Sequence, residues 1–294
     1  MTLGINIKGI DCSKNSVLFW NGKYAQIYEI QGSKNPVLTG QFETPATVMG
    51  IHEENVFQCS KGKIEVCNFQ GEVKHVLPLT ETDGDITHMD VRGRHMAIAT
   101  STSMIKVLDV SRRNFKQVGM TKRFERKKNG DLIGEIKAIF LNPDGKKLCI
   151  LSDQTPIPSI KIPDTKFFIF DVETEAISEA EVGYNRVPIE AFWDQEDPRL
   201  LAIETEYIKD ISRATMDEEP REEDESKAEG DTLAGGLFKE EKEEWTGKTV
   251  ETFFVTRDYG TKKQDTLRFE DGEETVLGIS VPYFFYLGQQ VAEE

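Results

Sequence analysis

Four short runs rich in β-branched and aromatic residues recur along the chain, each closing on a carboxylate or an amide: QIYEI (26–30), EVCNF (65–69), KVLDV (106–110) and FIFDV (168–172). Glu29, Asn68, Asp109 and Asp171 hold the same place in each run, at spacings of 39, 41 and 62 residues. A period near 40 residues is the length of one small antiparallel sheet in a radial array. Such a unit cannot bury its faces alone, so its core must come from stacking on its neighbours. The third spacing is longer because that unit carries extra loop, including SDQTPIPSIKIPDT (152–165). ETFFVT (251–256) reads as a fifth copy, displaced by a long insertion. No sustained 3.6-residue periodicity competes with the strand reading in these segments.

Turn chemistry agrees. NSVLFWNGKYAQIYEI (15–30) places two β-rich runs around Asn21–Gly22, and NVFQCSKGKIEVCNF (55–69) does so around Lys61–Gly62. An Asn-Gly pair between such runs is a strong hairpin signal. HMAIATSTSMIKVLDV (95–110) repeats the arrangement without glycine. Further on, IKAIFLNPDGKKLCILS (136–152) recurs after a shift of 53 residues within VPIEAFWDQEDPRLLAIETEYI (187–208), with Ala138 on Ala191, Ile139 on Phe192, Asp144 on Asp197 and Leu148 on Leu201. Each copy is a strand, a turn built on Pro with Asp or Gly, and a second strand. Trp193–Asp194 therefore closes a first strand, whereas the Trp-Asp of a WD repeat closes the third. Alternation puts Ala191 and Trp193 on one face and Phe192 and Asp194 on the other, with both aromatics buried between blades and Asp194 accepting N–H groups of the turn.

The units begin near residues 5, 46, 85, 135 and 187, and a sixth opens at TVLGISVPYFFYL (275–287). The expectation is an all-β, WD40-like β-propeller of about five blades plus a partial sixth, filling one region over 1–294, with Glu29, Asn68, Asp109 and Asp171 bonding turns within their blades. Half a blade exposes a strand edge and part of a core. The chain is then either a piece of a longer protein, or its last blade is completed by Gly4–Asp11 as the missing outer strand.

The compositional break lies at about 209–248. Between Asp217 and Lys248 stand 13 acidic and 5 basic residues, half of the net charge of −16. MDEEPREEDESKAEGD (216–231) has almost no apolar content, so it is expected to be unstructured, in a loop between the second and third strands of its blade. In TLAGGLFKEEKEEW (232–245), Leu233, Leu237, Phe238 and Trp245 would share one face of a short helix, which Gly235–Gly236 weakens. A solvated loop is the simpler reading; a docking motif using Phe238 and Trp245 is the functional one, with Trp193 as a third aromatic able to anchor a partner. A second insertion, KRFERKKNGD (122–131), is basic and reads as a surface loop.

The acidic balance argues against nucleic acid, where a basic surface supplies most of the attraction. No apolar run reaches the roughly 18–20 residues that span a bilayer. Cys12, Cys59, Cys67 and Cys149 form no CxxC pair, and Cys12, Cys67 and Cys149 sit in apolar runs, so buried free thiols are expected. His52, His75, His88 and His95 lack metal-ligand spacing. No phosphate loop, nucleophile elbow or calcium loop is present. The sequence thus implies no catalytic residue, no cofactor and no metal.

FWNGKYAQIYEI (19–30), IHEENVFQCSKGKIEVCNFQGEVKHVLPLTETDG (51–84), VLDVSRR (107–113), VPIEAFWDQEDPRLLAIETE (187–206) and VLGISVPYFFYL (276–287) together resemble the second WD40 propeller of the 140-kDa subunit of intraflagellar transport complex A. The matching stretches follow the family's order and cover most of the chain outside the acidic segment. VPIEAFWDQEDPRL is the most specific, since generic WD repeats lack it. The acidic segment departs from the family pattern, and the family's first propeller and helical tail have no counterpart here. The resemblance implies a non-enzymatic scaffold in retrograde ciliary transport and cargo entry, placed in the cilium and cytoplasm. Its partners would be the other complex A subunits, with complex B and cargo adaptors beyond them. Another WD40 adaptor, such as a vesicle-coat subunit or ubiquitin-ligase substrate receptor, is the alternative, and a propeller enzyme the third class.

Overall fold

Each β-rich run forms a strand, and successive strands pair antiparallel with their nearest neighbours in sequence. In the computed structural model, the described residues are 6–32, 35–60, 62–112, 115–124, 135–152, 165–208, 245–256, 260–269, 274–281 and 283–287. The first sheet is β1 (Gly9–Ser13), β2 (Ser16–Trp20), β3 (Tyr24–Glu29) and β4 (Val37–Glu43). The second is β5 (Val48–His52), β6 (Asn55–Ser60), β7 (Lys63–Cys67) and β8 (Val73–Pro78). The third is β9 (Ile86–Arg92), β10 (His95–Thr100), β11 (Met104–Asp109) and β12 (Lys116–Arg123). The fourth is β13 (Ile136–Leu141), β14 (Lys147–Ser152), β15 (Lys166–Asp171) and β16 (Ile177–Glu181). The fifth is β17 (Arg186–Trp193), β18 (Leu200–Tyr207), β19 (Thr249–Val255) and β20 (Thr261–Arg268). A sixth sheet holds two strands, β21 (Thr275–Ser280) and β22 (Tyr283–Leu287). The third-strand runs read from the sequence are β3, β7, β11, β15 and β19, and Asp109 and Asp171 are the last residues of β11 and β15. The all-β, partial-propeller reading stands.

The first strands β1, β5, β9, β13, β17 and β21 adjoin one another in order, so they line the axis and each sheet runs outward from it. The core is a series of layers between sheets. Leu18, Trp20 and Ile27 of the first blade meet Met49, Ile51 and Val56 of the second. Phe57, Cys59 and Ile64 then meet Met96, Ile98 and Leu108. The middle strands serve two layers at once, because alternate side chains point to opposite faces. In β10, Met96 and Ile98 pack toward the second blade, while Ala97 and Ala99 pack toward the fourth. In β15, Phe168 and Phe170 face the third blade, and Phe167 and Ile169 face the fifth. These strands therefore read as continuous apolar runs.

Among the described residues, six sheets are joined by five layers, the last being Ala202, Val250 and Phe269 against Val276 and Ile279. The ring is not closed. On one flank of the opening, β1 exposes Ile10 and Cys12; on the other, β22 exposes Tyr283, Phe285 and Leu287. Two expectations fail here for one reason. Gly4–Asp11 does not complete the last blade: Gly9–Asp11 pairs with Leu18–Trp20 as the inner strand of the first blade. Cys12 is exposed, since no sheet covers its face of β1 among the described residues. Cys59, Cys67 and Cys149 are buried. Burial pushes all three thiols up, Cys67 to about 11.

The acidic insertion leaves after β18 and returns before β19, between second and third strands. The unstructured stretch expected at 217–231, Phe238, and most of the basic insertion fall outside the described residues. Within those residues, no helix is long and apolar enough to cross a membrane.

Candidate functional site

The residues at the ends of third strands lock the turns that follow. Asn68 Oδ1 accepts the backbone N–H of Gln70 at 3.0 Å and of Glu72 at 2.9 Å. Asp109 Oδ1 accepts the Ser111 N–H at 3.0 Å and its hydroxyl at 2.6 Å, and these bonds hold its carboxyl below the usual range. Asp171 Oδ1 takes the N–H groups of Glu173 and Thr174, while Oδ2 receives Lys147 Nζ at 2.8 Å. Burial pushes Asp171 up, but the Lys147 and Thr174 bonds outweigh it and leave it low. Glu29 differs: it ends β3, and among the described residues its side chain makes no such bond.

Trp193 is 5% exposed and packs among Leu151, Phe167, Leu201 and Phe253. Its Nε1 donates to the Phe140 carbonyl at 2.9 Å, across to the fourth blade. The ring is thus not available at the surface as an anchor. Phe192 is half-buried on the opposite face, packed toward the sixth sheet. Asp194 Oδ1 accepts the N–H groups of Glu196 and Asp197. Trp245 lies half-buried where the acidic insertion re-enters the blade. Buried Arg186 holds that re-entry, donating to the carbonyls of Trp245 at 2.5 Å and Gly247 at 3.0 Å. The Arg268 guanidinium stands 6.0 Å from the Trp245 ring centroid.

The structure adds a feature that the sequence reading missed. Carboxylates at the ring axis reach from the first strand of one blade to the backbone of the next. Asp11 Oδ2 accepts the Ile51 N–H at 2.8 Å, Asp90 Oδ2 the Leu141 N–H at 2.6 Å, and Asp194 Oδ2 the Val281 N–H at 2.6 Å. They join blades one to two, three to four and five to six. An acidic residue inside an apolar first strand, as in GIDCS and ITHMDVR, was the available signal.

Asp11 and Asp90 also face a cavity of about 310 Å³ on the axis, lined by His88 and Arg92 and walled by Trp20, Met49, Met89 and Phe140. Arg92 Nε lies 3.4 Å from Asp90 Oδ1. Burial raises the Asp11 carboxyl to about 6, against the Ile51 N–H and the Arg92 charge, with the Asp90 charge adding to the rise. Burial likewise raises Asp90, against Arg92 and the N–H groups of Leu141 and Val91. Burial lowers His88. Elsewhere, a polar cleft between hairpin tips holds Lys14 and Lys74, but Lys14 pairs with Glu53 at 2.7 Å and Lys74 bonds Asn55 at 2.9 Å.

The family model described as the IFT140 second β-propeller matches residues 1–184 and 179–289. The chain belongs to the IFT140 second β-propeller family. It is accordingly a propeller of an intraflagellar transport complex A subunit, a family of the cilium. The two matched segments meet at the boundary between the fourth and fifth blades, and the second carries both flanks of the acidic insertion. Among solved structures, KlHsv2 with loop 6CD replaced by a Gly-Ser linker is similar at 13% identity and a TM-score of 0.55, over 91% of this chain and 73% of that chain. The Myceliophteria thermophila Cps50 (Swd1) β-propeller domain is similar at 8% identity and a TM-score of 0.51, over 88% of this chain and 71% of that chain. At such identities the likeness speaks for the fold of this IFT140-family propeller alone.

Proposed function

We propose that this chain is a non-catalytic docking platform within intraflagellar transport complex A, serving retrograde ciliary transport and the entry of cargo into the cilium. The family match over nearly the whole chain carries the reading. The whole of 1–294 is one propeller region with an acidic insertion at about 209–248, and its partners are other complex A subunits, with complex B and cargo adaptors beyond them. Asn68, Asp109 and Asp171 act as turn locks. Rigid turns on stacked sheets present side chains with little ordering left to lose on binding, which favours recognition. Phe238 and Trp245 are the aromatic residues left as candidates for partner contact; Trp193 serves the core.

The test is co-precipitation from ciliated cells with the tagged chain as bait. Recovery of complex A subunits supports the reading. Recovery of vesicle-coat or ubiquitin-ligase components instead would transfer the chain to another class of adaptor.

A further inference from the structure

We infer that the axial cavity lined by the first four blades is a binding site for one guanidinium side chain, an arginine presented by a partner polypeptide. The inference rests on the docking-platform reading and names a site for it. Charge is the first ground. Two carboxylates, Asp11 and Asp90, share the cavity with one guanidinium, Arg92. Arg92 is the one arginine or lysine among the residues that line the cavity, so the carboxylates outnumber the fixed cations there. Unused hydrogen-bonding capacity is the second. A carboxylate offers about four lone-pair sites. Asp11 receives two backbone N–H groups, from Cys12 and Ile51, each at 2.8 Å, and among the described residues no side chain donates to it.

Shape is the third ground. At about 310 Å³ the cavity stands at the small end of ligand sites, which run from about 300 to 1,000 Å³. That suits a single side chain. The apolar walls of Trp20, Met49 and Phe140 take an aliphatic stem, and beside aromatic side chains a guanidinium, more weakly hydrated than an ammonium, is the better-suited cation. A guanidinium also presents several donors at once to paired carboxylates. No group of three metal-ligating side chains converges among the described residues.

The experiment uses ligand-observed NMR on the full chain, with the peptide acetyl-Gly-Gly-Arg-Gly-Gly-amide as probe and its citrulline and lysine counterparts as controls. The arginine peptide is expected to bind at pH 7.5. The citrulline peptide, and the variants Asp11→Asn and Asp90→Asn, should bind at least about tenfold more weakly. Affinity should fall at pH 5, where a proton takes the place of the ligand's charge on Asp11, and Asp11→Asn should flatten that dependence. Thermal unfolding of each variant confirms that it is folded. Equal binding of the arginine and citrulline peptides, no binding of either, or unchanged binding by folded Asp11→Asn would overturn the site; equal binding of the lysine peptide would overturn the guanidinium assignment. Co-precipitation of complex A, run in parallel, separates the two readings. Complex A recovered while the cavity binds no peptide overturns the arginine site alone, whereas failure to recover complex A overturns the platform.

Discussion

The indole N–H of Trp193 bonds the carbonyl of Phe140, a residue 53 positions earlier, and 53 is also the shift that superposes the two blades in sequence. Each residue closes the inner part of its first strand, so the bond ties one copy of the repeat to the equivalent point of the copy before it. Trp193→Ala should cost about 3–5 kcal/mol, the range for emptying a buried Trp site. Against a typical total of about 5–15 kcal/mol, the fold would be left marginal. Trp193→Phe keeps most of the volume and loses the bond, so it should cost less. Chemical denaturation of both variants decides this. An alanine variant of unchanged stability that no longer recovers complex A would make this stretch an interface.

Asp11 gives a pH prediction of definite sign. Its carboxyl sits at about 6 in the fold, above its ordinary value of 3.8. The folded state therefore holds the proton more tightly than the unfolded chain, and ionisation costs stability as pH rises from about 4 to 6. At about 1.36 kcal/mol per pKa unit, the upper limit is about 3 kcal/mol, present in full above pH 6. The groups facing it are Asp90 and Arg92 from β9, with Cys12 beside it on β1. Asp11→Asn keeps an acceptor for the Ile51 N–H and removes the charge. It should match the natural chain at pH 4 and exceed its stability at pH 7.5. Urea midpoints at the two pH values measure the difference; a variant less stable at both would show that the charge itself holds the first two blades together.

Gly145 supports the third-to-fourth blade contact. Its φ is +72°, and a Cβ there would lie 2.1 Å from His95 Nδ1. His95 is buried at the start of β10, so it has little room to withdraw. Gly145→Ala combines left-handed strain with a clash and should cost more than about 1 kcal/mol. His95→Ala in the same background should recover part of the loss, which a double-mutant cycle reads directly.

Local pairing was legible and ring geometry was not. β-rich runs, turn residues and the third-strand carboxylates locate the strands of each blade, because a meander pairs only sequence neighbours. The contacts that needed the structure lie between blades. The Asp11 and Asp90 bonds join backbones 40 and 51 residues apart, and no turn chemistry marks them. The error over Gly4–Asp11 has the same origin. GIDCS suits an inner or an outer strand equally, and its pairing with SVLFW rather than with the last blade is settled by the adjacent Lys14–Asn15 turn. That turn, with Lys14 at φ +52°, is a short local connection. A return across the open ring would have to close a far longer loop. Cys12 follows from it, since an inner strand at the opening has one bare face.

The acidic insertion tests how far a blade depends on its loops. It connects β18 to β19, whose pairing runs from Leu200–Phe254 to Thr205–Thr249. Deleting 213–243 spares Trp245 and Gly247, which Arg186 grips. An about fourfold shorter connection changes closure entropy by about 1 kcal/mol, in the stabilising direction. The melting temperature should therefore move by only a few degrees. Arg186→Met leaves the insertion in place but strips the donors from two carbonyls and from Thr205, at a cost of about 1–3 kcal/mol. The expected order is that losing thirty-one residues of loop matters less than losing one guanidinium, with thermal unfolding of the two variants as the measurement. If the deletion abolishes cooperative unfolding while Arg186→Met does not, the insertion belongs to the core of the fifth blade and the loop reading is wrong.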